Sequence, residues 1–333
     1  MRFCSIGCGE HARSSHGPAL AKCASSRPEL ELAGCCDTDA ERAEAHRKRF
    51  GFARAFTDAA AMLDALRPDA VALIVPEGET VPLAERVLER GMGLLVEKPP
   101  GRTQGEVDRL IAAARGRSGG PGVPHKVGFN RRFVPLIREA RRRLEALGGA
   151  RSVQHLHYEM TRVDRRDPDF SVTAIHGIDA VRYLAGSDYA EVRFRYRELP
   201  ALGPGVANIF MDAVMASGAT AQLAFCPVAG VLIERATIHS GRHSFFLNVP
   251  LWAAFDSPGR LQHLEAGALA EEISGASLSG STKAFELGGF YDEYLAFLDD
   301  LVAGRQPGPS LAEARQSVAV AEQIRLRAAE YHA

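Results

Sequence analysis

The stretch that decides the fold is "SIGCGEHARSSH", residues 5–16. Gly7, Gly9 and Ala12 form a G-x-G-x-x-A pattern directly after the apolar run at 2–7. After a strand, the first glycine permits a tight turn and the second lets a pyrophosphate approach the backbone, while the small third residue lets the next helix pack closely. The N-terminus of that helix then directs its dipole at the phosphates. The stretch predicts a dinucleotide site, and a glycine turn without nucleotide is the alternative.

An acidic residue ends the next apolar run. Asp37 closes "LELAGCCD" and lies 25 residues after Ala12, near the roughly 20 residues typical of a carboxylate that binds the adenine ribose. That carboxylate would repel the extra phosphate of NADP, and no arginine follows immediately in "CCDTDAE". We expect NAD as the cofactor, with NADP less favoured. Cys8, Glu10 and His11 of the glycine loop are included among the expected cofactor contacts.

The first third of the chain predicts a doubly wound parallel sheet, because fully apolar runs alternate with helical patterns. The predicted strands are 2–7, 30–37, 69–76, 93–99 and 125–130, and the predicted helices are 39–51, 57–68, 80–91 and 134–147. Asp39 and Thr57 are the predicted N-caps of the first two helices. A Gly/Pro-rich linker at 115–124 interrupts the series.

The second half changes character. From about 150 to 264, short runs that mix apolar and polar residues predict a large, mostly antiparallel open sheet. Helices are predicted at 173–186, 291–304 and 311–330, and the Gly/Ser/Ala-rich segment 265–286 is expected to be mobile. The expected fold class is α/β plus α+β, with a Rossmann domain at 1–121 and a substrate-binding and oligomerisation domain at 122–333.

Composition excludes several classes of protein. The chain has 333 residues, with 40 Lys plus Arg against 41 Asp plus Glu, so no net field would attract nucleic acid or a membrane surface. No apolar stretch approaches the ~20 residues of a membrane span, and no signal peptide is predicted. The six cysteines show no metal-binding spacing, so no metal is expected. The predicted place of Cys4, Cys8, Cys35 and Cys36 in core strands suits a reducing cytoplasm.

A second motif, Glu97-Lys98-Pro99, closes the strand at 93–99. With "VGFNRRF", "AIHGIDAVRYLAG" and "GGFYDEYLAFLDDLVAGRQP" in the same order, the chain resembles the glucose–fructose oxidoreductase / inositol dehydrogenase family (Gfo/Idh/MocA) along its whole length. The resemblance implies hydride transfer between a nicotinamide and a hydroxyl or keto carbon of a sugar, cyclitol or similar metabolite. It implies that Lys98 reaches substrate beside the nicotinamide. Pro76, Glu97 and Asn130 complete the expected cofactor contacts.

Thr173, His176 and Asp179 are spaced three residues apart and share one face of the predicted helix. Family members carry H-x-x-D here, which implies His176 as acid/base and Asp179 as a group that holds a substrate hydroxyl or orients the ring. Oxidation of an alcohol needs such a proton acceptor. Many relatives have an aspartate four residues before the histidine, where this chain has Val172, so the substrate cannot be carried over.

Two further residues complete the expected substrate contacts. Arg132 is expected to bind a hydroxyl or carboxylate, with a salt bridge to the linker as the alternative. His157 shares one side of a strand with His155, facing either the nicotinamide or solvent.

Apolar residues on both faces of "ATAQLAFCPV" and "VLIERATIH" predict a homodimer or homotetramer. A transient-redox NAD enzyme and a non-catalytic NAD-binding regulator remain alternative functions.

Overall fold

The chain forms two compact units in a computed structural model that describes residues 1–115, 122–252 and 254–333. The first unit is Met1–Phe129 with Phe290–Arg315, and the second is Asn130–Gly289 with Gln316–Ala333. The first unit therefore includes residues far beyond the predicted boundary at 121. That boundary, and most of the predicted linker, falls on 116–121, which lie outside the described residues.

The first unit is built on a six-stranded parallel sheet with the order β3-β2-β1-β4-β5-β6. Its strands are β1 Arg2–Ile6, β2 Glu31–Cys36, β3 Arg54–Phe56, β4 Ala70–Leu73, β5 Gly93–Glu97 and β6 His125–Gly128. This order confirms the predicted doubly wound sheet. Sequence inspection missed β3, since three residues at a sheet edge leave little pattern.

Within the described residues, six α-helices belong wholly to this unit. They are α1 Gly17–Ser26, α2 Ala40–Phe50, α3 Ala59–Leu66, α4 Glu77–Glu89, α5 Gln104–Ala114 and α10 Phe290–Val302. Asp39 caps α2 as predicted, whereas α3 is capped by Asp58, whose side chain accepts from the Ala61 N–H, and not by Thr57. The distant helix α10 completes the core, because Tyr294 and Phe297 pack edge-on against the buried Phe3 of β1.

The second unit contains a nine-stranded sheet with the order β14-β13-β12-β11-β7-β10-β9-β8-β15. Its strands are β7 Val153–Thr161, β8 Tyr189–Glu198, β9 Ala207–Met215, β10 Thr220–Cys226, β11 Ile233–Ser240, β12 His243–Asn248, β13 Arg260–Glu265, β14 Ala268–Ser274 and β15 Glu330–His332. Neighbours pair antiparallel except β7 and β10, which are parallel. The mostly antiparallel sheet is therefore confirmed.

Helices α6 Pro135–Ala146, α7 Ser171–Ala185, α8 Gly275–Ser279, α9 Ala284–Leu287 and α11 Leu311–Arg325 complete the described elements. The segment 265–286, expected to be mobile, instead contains β14, α8 and α9. The predicted last helix ends at Arg325, and the residues after it supply β15, which pairs with β8. No helix in the described part of the chain is long and apolar enough to cross a membrane.

One face of the second sheet is covered by α7. Gly177 of α7 lies so close to Tyr158 of β7 and Phe225 of β10 that a Cβ there would be 3.0 Å and 2.8 Å from their rings. Side chains alternate between faces along a strand, so His157 and Thr237 point to the opposite face. That face is largely polar, but it also carries the apolar side chains of Ala224, Val214 and Phe246.

Candidate functional site

The glycine loop has the geometry that a dinucleotide site requires. Gly7 has a φ of +96°, and a Cβ on it would lie 1.9 Å from the backbone oxygen of Ile74, so only glycine fits this turn. A Cβ on Gly9 would have no heavy atom within 4 Å, which leaves room for a ligand group to approach the backbone. The loop lies where the carboxyl ends of β1 and β4 meet, the edge at which open α/β sheets bind ligands.

Asp37 is held firmly at the end of β2. Its Oδ2 accepts from the Cys8 N–H at 2.9 Å, and its Oδ1 accepts from the Asp39 N–H at 2.9 Å. The guanidinium of Arg42 also donates to Oδ1, with Nη2 at 3.0 Å and Nε at 3.2 Å. Burial alone would raise the pKa of Asp37, but the two backbone N–H groups and Arg42 hold it below its usual value. The carboxylate therefore stays ionised beside the glycine loop.

The pairing of Arg42 with Asp37 was not predicted, because Arg42 lies five residues after Asp37 and not immediately beyond it. The signal was present: Arg42 is in the first turn of α2, just after the N-cap Asp39. A side chain there can turn back toward the strand end.

Two histidines of the first unit converge on Glu97. His11 precedes a π-helical turn, Ala12–His16, whose last residue is the buried His16. His16 Nε2 lies 3.0 Å from Glu97 Oε1, and His11 Nε2 lies 3.5 Å from the same oxygen. Burial lowers the pKa of His16. Burial alone would raise the pKa of Glu97, but the two neighbouring imidazoles hold it well below its usual range.

Lys98 follows directly and is half-buried. Its backbone N–H donates to Glu97 Oε2 at 3.1 Å, so the Glu97 side chain anchors the turn that carries the lysine. Pro76, another expected cofactor contact, precedes the first residue of α4 at the end of β4. Glu10, in the glycine loop, forms an exposed ion pair with Arg13. These residues all lie at or after the carboxyl ends of strands, as predicted.

In the second unit, α7 carries Thr173, His176 and Asp179, which confirms that they belong to one helix. Thr173 is buried, His176 is half-buried and Asp179 is completely inaccessible to solvent. Val172 occupies the turn before His176 and is also half-buried.

Asp179 and Arg132, both expected to bind substrate, bind each other. Arg132 Nε and Nη2 each lie 2.7 Å from one Asp179 oxygen, a bidentate ion pair. The Ser317 hydroxyl donates to Asp179 Oδ1 at 3.0 Å. With these partners, Asp179 and Arg132 fix the relative positions of α7 and the loop before α6.

Asn130 and Arg131, from the same loop, also have partners within the second unit. Asn130 Nδ2 donates to the Gly288 carbonyl at 2.8 Å. Arg131 forms a buried bidentate pair with Glu234, whose Oε2 also accepts from the Tyr158 hydroxyl at 2.9 Å. The side chain of Asn130, an expected cofactor contact, therefore ties two loops of this unit together.

His157 does not share a site with His176. It is exposed on the face of the second sheet opposite α7, and the helix that carries His176 covers the other face. The alternation of His155 and His157 on one side was predicted correctly, and the side is the solvated one.

Comparison with known proteins agrees with this geometry. Residues 1–120 match the model of an oxidoreductase family with an NAD-binding Rossmann fold. The D-glucoside 3-dehydrogenase of Escherichia coli is 31% identical over 115 residues, which cover 34% of this chain and 32% of that protein. Inositol 2-dehydrogenase 4 of Saccharopolyspora erythraea is 31% identical over 176 residues, covering half of each chain.

Solved structures share the fold over nearly the full length. A levoglucosan dehydrogenase in complex with NADH and L-sorbose superposes with a TM-score of 0.81 at 19% identity, covering 100% of this chain and 98% of the other. A Gfo/Idh/MocA family oxidoreductase from Vibrio cholerae gives a TM-score of 0.80 at 20% identity, covering 98% and 97%. The chain thus spans a third to a half of the length of these curated relatives. The structural matches, in contrast, extend over both units of the chain.

Proposed function

We propose that this chain, whose residues 1–120 match the model of the Gfo/Idh/MocA oxidoreductase family with its NAD-binding Rossmann fold, is an NAD-dependent dehydrogenase. Its substrate would be a sugar, a cyclitol or a related small polar metabolite that carries a CH–OH group. The observation that carries the proposal is the glycine loop, with an obligatory glycine at position 7, open space at Gly9 and an ionised Asp37. The curated relatives, named as glucoside and inositol dehydrogenases, support the substrate class.

The residues of the first unit fit the dinucleotide. The backbone at Gly7–Gly9 would receive the pyrophosphate, and Asp37 would accept hydrogen bonds from the adenine ribose. Cys8, Glu10, His11, Pro76 and Glu97 would line the remaining path of the cofactor, while Asn130 would act by holding its own loop in place. When bound, NAD supplies the hydride acceptor for oxidation of the substrate carbon.

The chain's own groups handle the proton. In the proposal, Lys98 donates a hydrogen bond to the reacting oxygen and polarises it, and His176 accepts the hydroxyl proton as general base. Thr173, one turn before His176 on α7, would offer its hydroxyl to the substrate. Asp179 and Arg132 act as positioning residues, because their buried ion pair fixes α7, which carries His176.

A non-catalytic regulator is the second candidate, and Val172 is the observation that favours it, since the carboxylate common in relatives is missing there. Incubation of the pure protein with NAD and a panel of polyols and aldoses, followed by NADH absorbance and product analysis, separates the candidates. Net NADH formation supports the dehydrogenase, and product without NADH indicates transient redox chemistry. Tight NAD binding without any turnover would support the regulator and overturn the proposal.

Assembly as a homodimer or homotetramer belongs to the same proposal. The polar outer face of the second sheet still exposes Val214 and Phe246, at 42% and 38% of their surface. Light scattering at micromolar concentration is expected to give a molar mass of two or four times the 35.9 kDa of one chain. The mass of a single chain would contradict the proposed assembly.

A further inference from the structure

We propose that His11, His16 and Glu97 form a binding site for a divalent transition metal ion of the Zn²⁺ class. The donors are two imidazole nitrogens and one carboxylate oxygen, and all three ligand atoms lie within 4.8 Å of one another. Imidazole and carboxylate are the ligands of three-residue zinc sites that keep a fourth position open. All three residues lie in the first unit, so one unit would hold the ion alone.

The distances suit a shared ion. Two atoms bound to one zinc at about 2.0–2.2 Å lie roughly 3–3.6 Å apart in tetrahedral geometry. Glu97 Oε1 lies 3.0 Å from His16 Nε2 and 3.5 Å from His11 Nε2. The His11 side chain is 41% exposed, so a small rotation can close the remaining gap between the two imidazoles.

Two buried atoms in this cluster lack hydrogen bonds. His16 Nε2 and Glu97 Oε1 are both inaccessible, and although they lie close together neither makes a hydrogen bond of acceptable geometry. The two side chains are only 1% and 9% exposed. A buried polar atom without a hydrogen bond destabilises the folded state. A bound cation would satisfy the nitrogen and the oxygen together.

The atoms behind the ligands are already occupied. His16 Nδ1 is hydrogen-bonded to the Tyr294 hydroxyl at 2.9 Å, and Glu97 Oε2 accepts from the Lys98 N–H. Outer partners of this kind orient ligating imidazoles and carboxylates and are typical of metal sites. They leave Nε2 and Oε1 directed at the cluster. The π-helical turn that brings His16 to this place is itself a feature frequent at functional sites.

No sequence motif indicates this site, because Glu97 is far from both histidines along the chain and no metal-binding spacing connects them. They come together because β4 pairs with both β1 and β5, so that the ends of β1 and β5 lie at the same edge of the sheet. His11 and Glu97 are also proposed to line the path of the cofactor, so the test is made on protein without NAD, and it needs no substrate.

The test is a titration of the chelator-treated full-length protein with Co²⁺, followed by displacement with Zn²⁺. We expect one equivalent of Co²⁺ to produce the visible absorption of a four- or five-coordinate ion, which excess Zn²⁺ abolishes. No near-ultraviolet sulfur-to-cobalt band should accompany it, since no thiol is in the ligand set. Tyr294→Phe should weaken Co²⁺ binding by about 10- to 100-fold, and His11→Gln or Glu97→Gln by more than that.

His332→Gln, a change at an exposed histidine near the end of the chain, is the control and should bind Co²⁺ like the unmodified protein. His16→Gln removes a buried side chain and risks the fold, so the decisive variant is the partly exposed His11→Gln. The absence of a cobalt spectrum in the unmodified protein would overturn the proposal. Equal affinity in His11→Gln and His332→Gln would do the same, because the ion would then be bound elsewhere.

Discussion

Arg42 and Asp37 form an ion pair at the end of β2, in which Nη2 and Nε of the arginine lie 3.0 Å and 3.2 Å from one carboxylate oxygen. The arginine is 55% exposed, whereas the aspartate is only 10% exposed. The carboxylate thus neutralises a solvent-exposed positive charge beside the expected ribose position. Removing the carboxylate would release that charge to a ribose phosphate.

We therefore expect Asp37→Ser to weaken NADH binding by about 10- to 100-fold, since a hydrogen bond to a charged group contributes about 1.5–3 kcal/mol. NADPH binding should improve relative to NADH, because Arg42 is then available to the 2′-phosphate. Fluorescence titration with both dinucleotides measures the ratio. The matched control is Asp37→Ser/Arg42→Ala, which should lose the gain for NADPH. Tighter binding of NADPH than NADH by the unmodified protein would contradict the cofactor preference.

Lys98→Ala and His176→Ala test the proposed proton chemistry. Each should reduce turnover on the true substrate by about 10²- to 10⁴-fold, the typical contribution of a positioned acid or base. The dissociation constant for NAD should change little, because neither side chain is expected to touch the adenosine half. Lys48→Ala, at an exposed lysine of α2, is the control. Near-normal turnover in both variants would refute this active site while leaving the fold untouched.

Val172→Asp would restore the carboxylate that many relatives carry one turn before the histidine. A negative charge there stabilises the imidazolium of His176, so the pH at which turnover is half-maximal should move upward. Val172→Asn has the same shape without the charge and should leave that pH unchanged. The check is the pH profile of turnover on polyols. A profile identical for the two variants would show that position 172 does not face the histidine.

Asp179→Asn tests the role of the buried ion pair. Removing one partner of a buried pair costs about 3–5 kcal/mol, because the remaining charge is left uncompensated. We expect that loss in the free energy of unfolding, measured by urea denaturation. Asp164→Asn, which disrupts the exposed pair with Arg166, should cost less than about 1 kcal/mol. Unchanged stability together with a raised KM would instead support direct substrate binding by Asp179.

His46 should make stability depend on pH. It is buried on α2 against Phe50 and Phe52, and burial, assisted by the charge of Arg49, lowers its pKa to about 4. Since the unfolded chain binds this proton more readily, the stabilisation is present above pH ~6.5 and is lost as the pH falls toward 4. His46→Leu should reduce the loss in the free energy of unfolding over this pH range by up to about 3 kcal/mol. Urea denaturation at pH 7 and pH 4.5 measures the free energy of unfolding of both proteins. The same loss of stability between the two pH values in both proteins would disprove the prediction.

The sequence predicted the first sheet well, since a buried parallel strand such as β4 is apolar throughout and α2 begins at its predicted cap, Asp39. Prediction from the sequence failed where the local pattern of residues carries little information about structure. Segment 265–286 is rich in small polar residues, yet its strand β14 is held by pairing with β13, which no local pattern reveals. Likewise, nothing near Asp179 indicates that Arg132, 47 residues away, neutralises it.

The residues of the candidate site likewise divide into those that local sequence predicts and those that it does not. The glycine loop, Asp37 and the turn at Lys98 follow from short motifs whose geometry is local. His16 and Tyr294, which lie 278 residues apart, meet only because α10 packs on the first unit. Their partnership depends on tertiary contacts, and the sequence alone could not predict it.

The packing of α10 on β1 also determines when the first unit can be completed during synthesis. A nascent chain that has emerged only as far as Phe129 already contains all six strands of the parallel sheet, but it lacks Tyr294 and Phe297, so Phe3 has no aromatic cover. The nucleotide-binding half must therefore wait, with part of its core open, until the whole of the second sheet except β15 has left the ribosome. Such an open core is the kind of surface that chaperones recognise. No single cut in the chain would yield either unit intact.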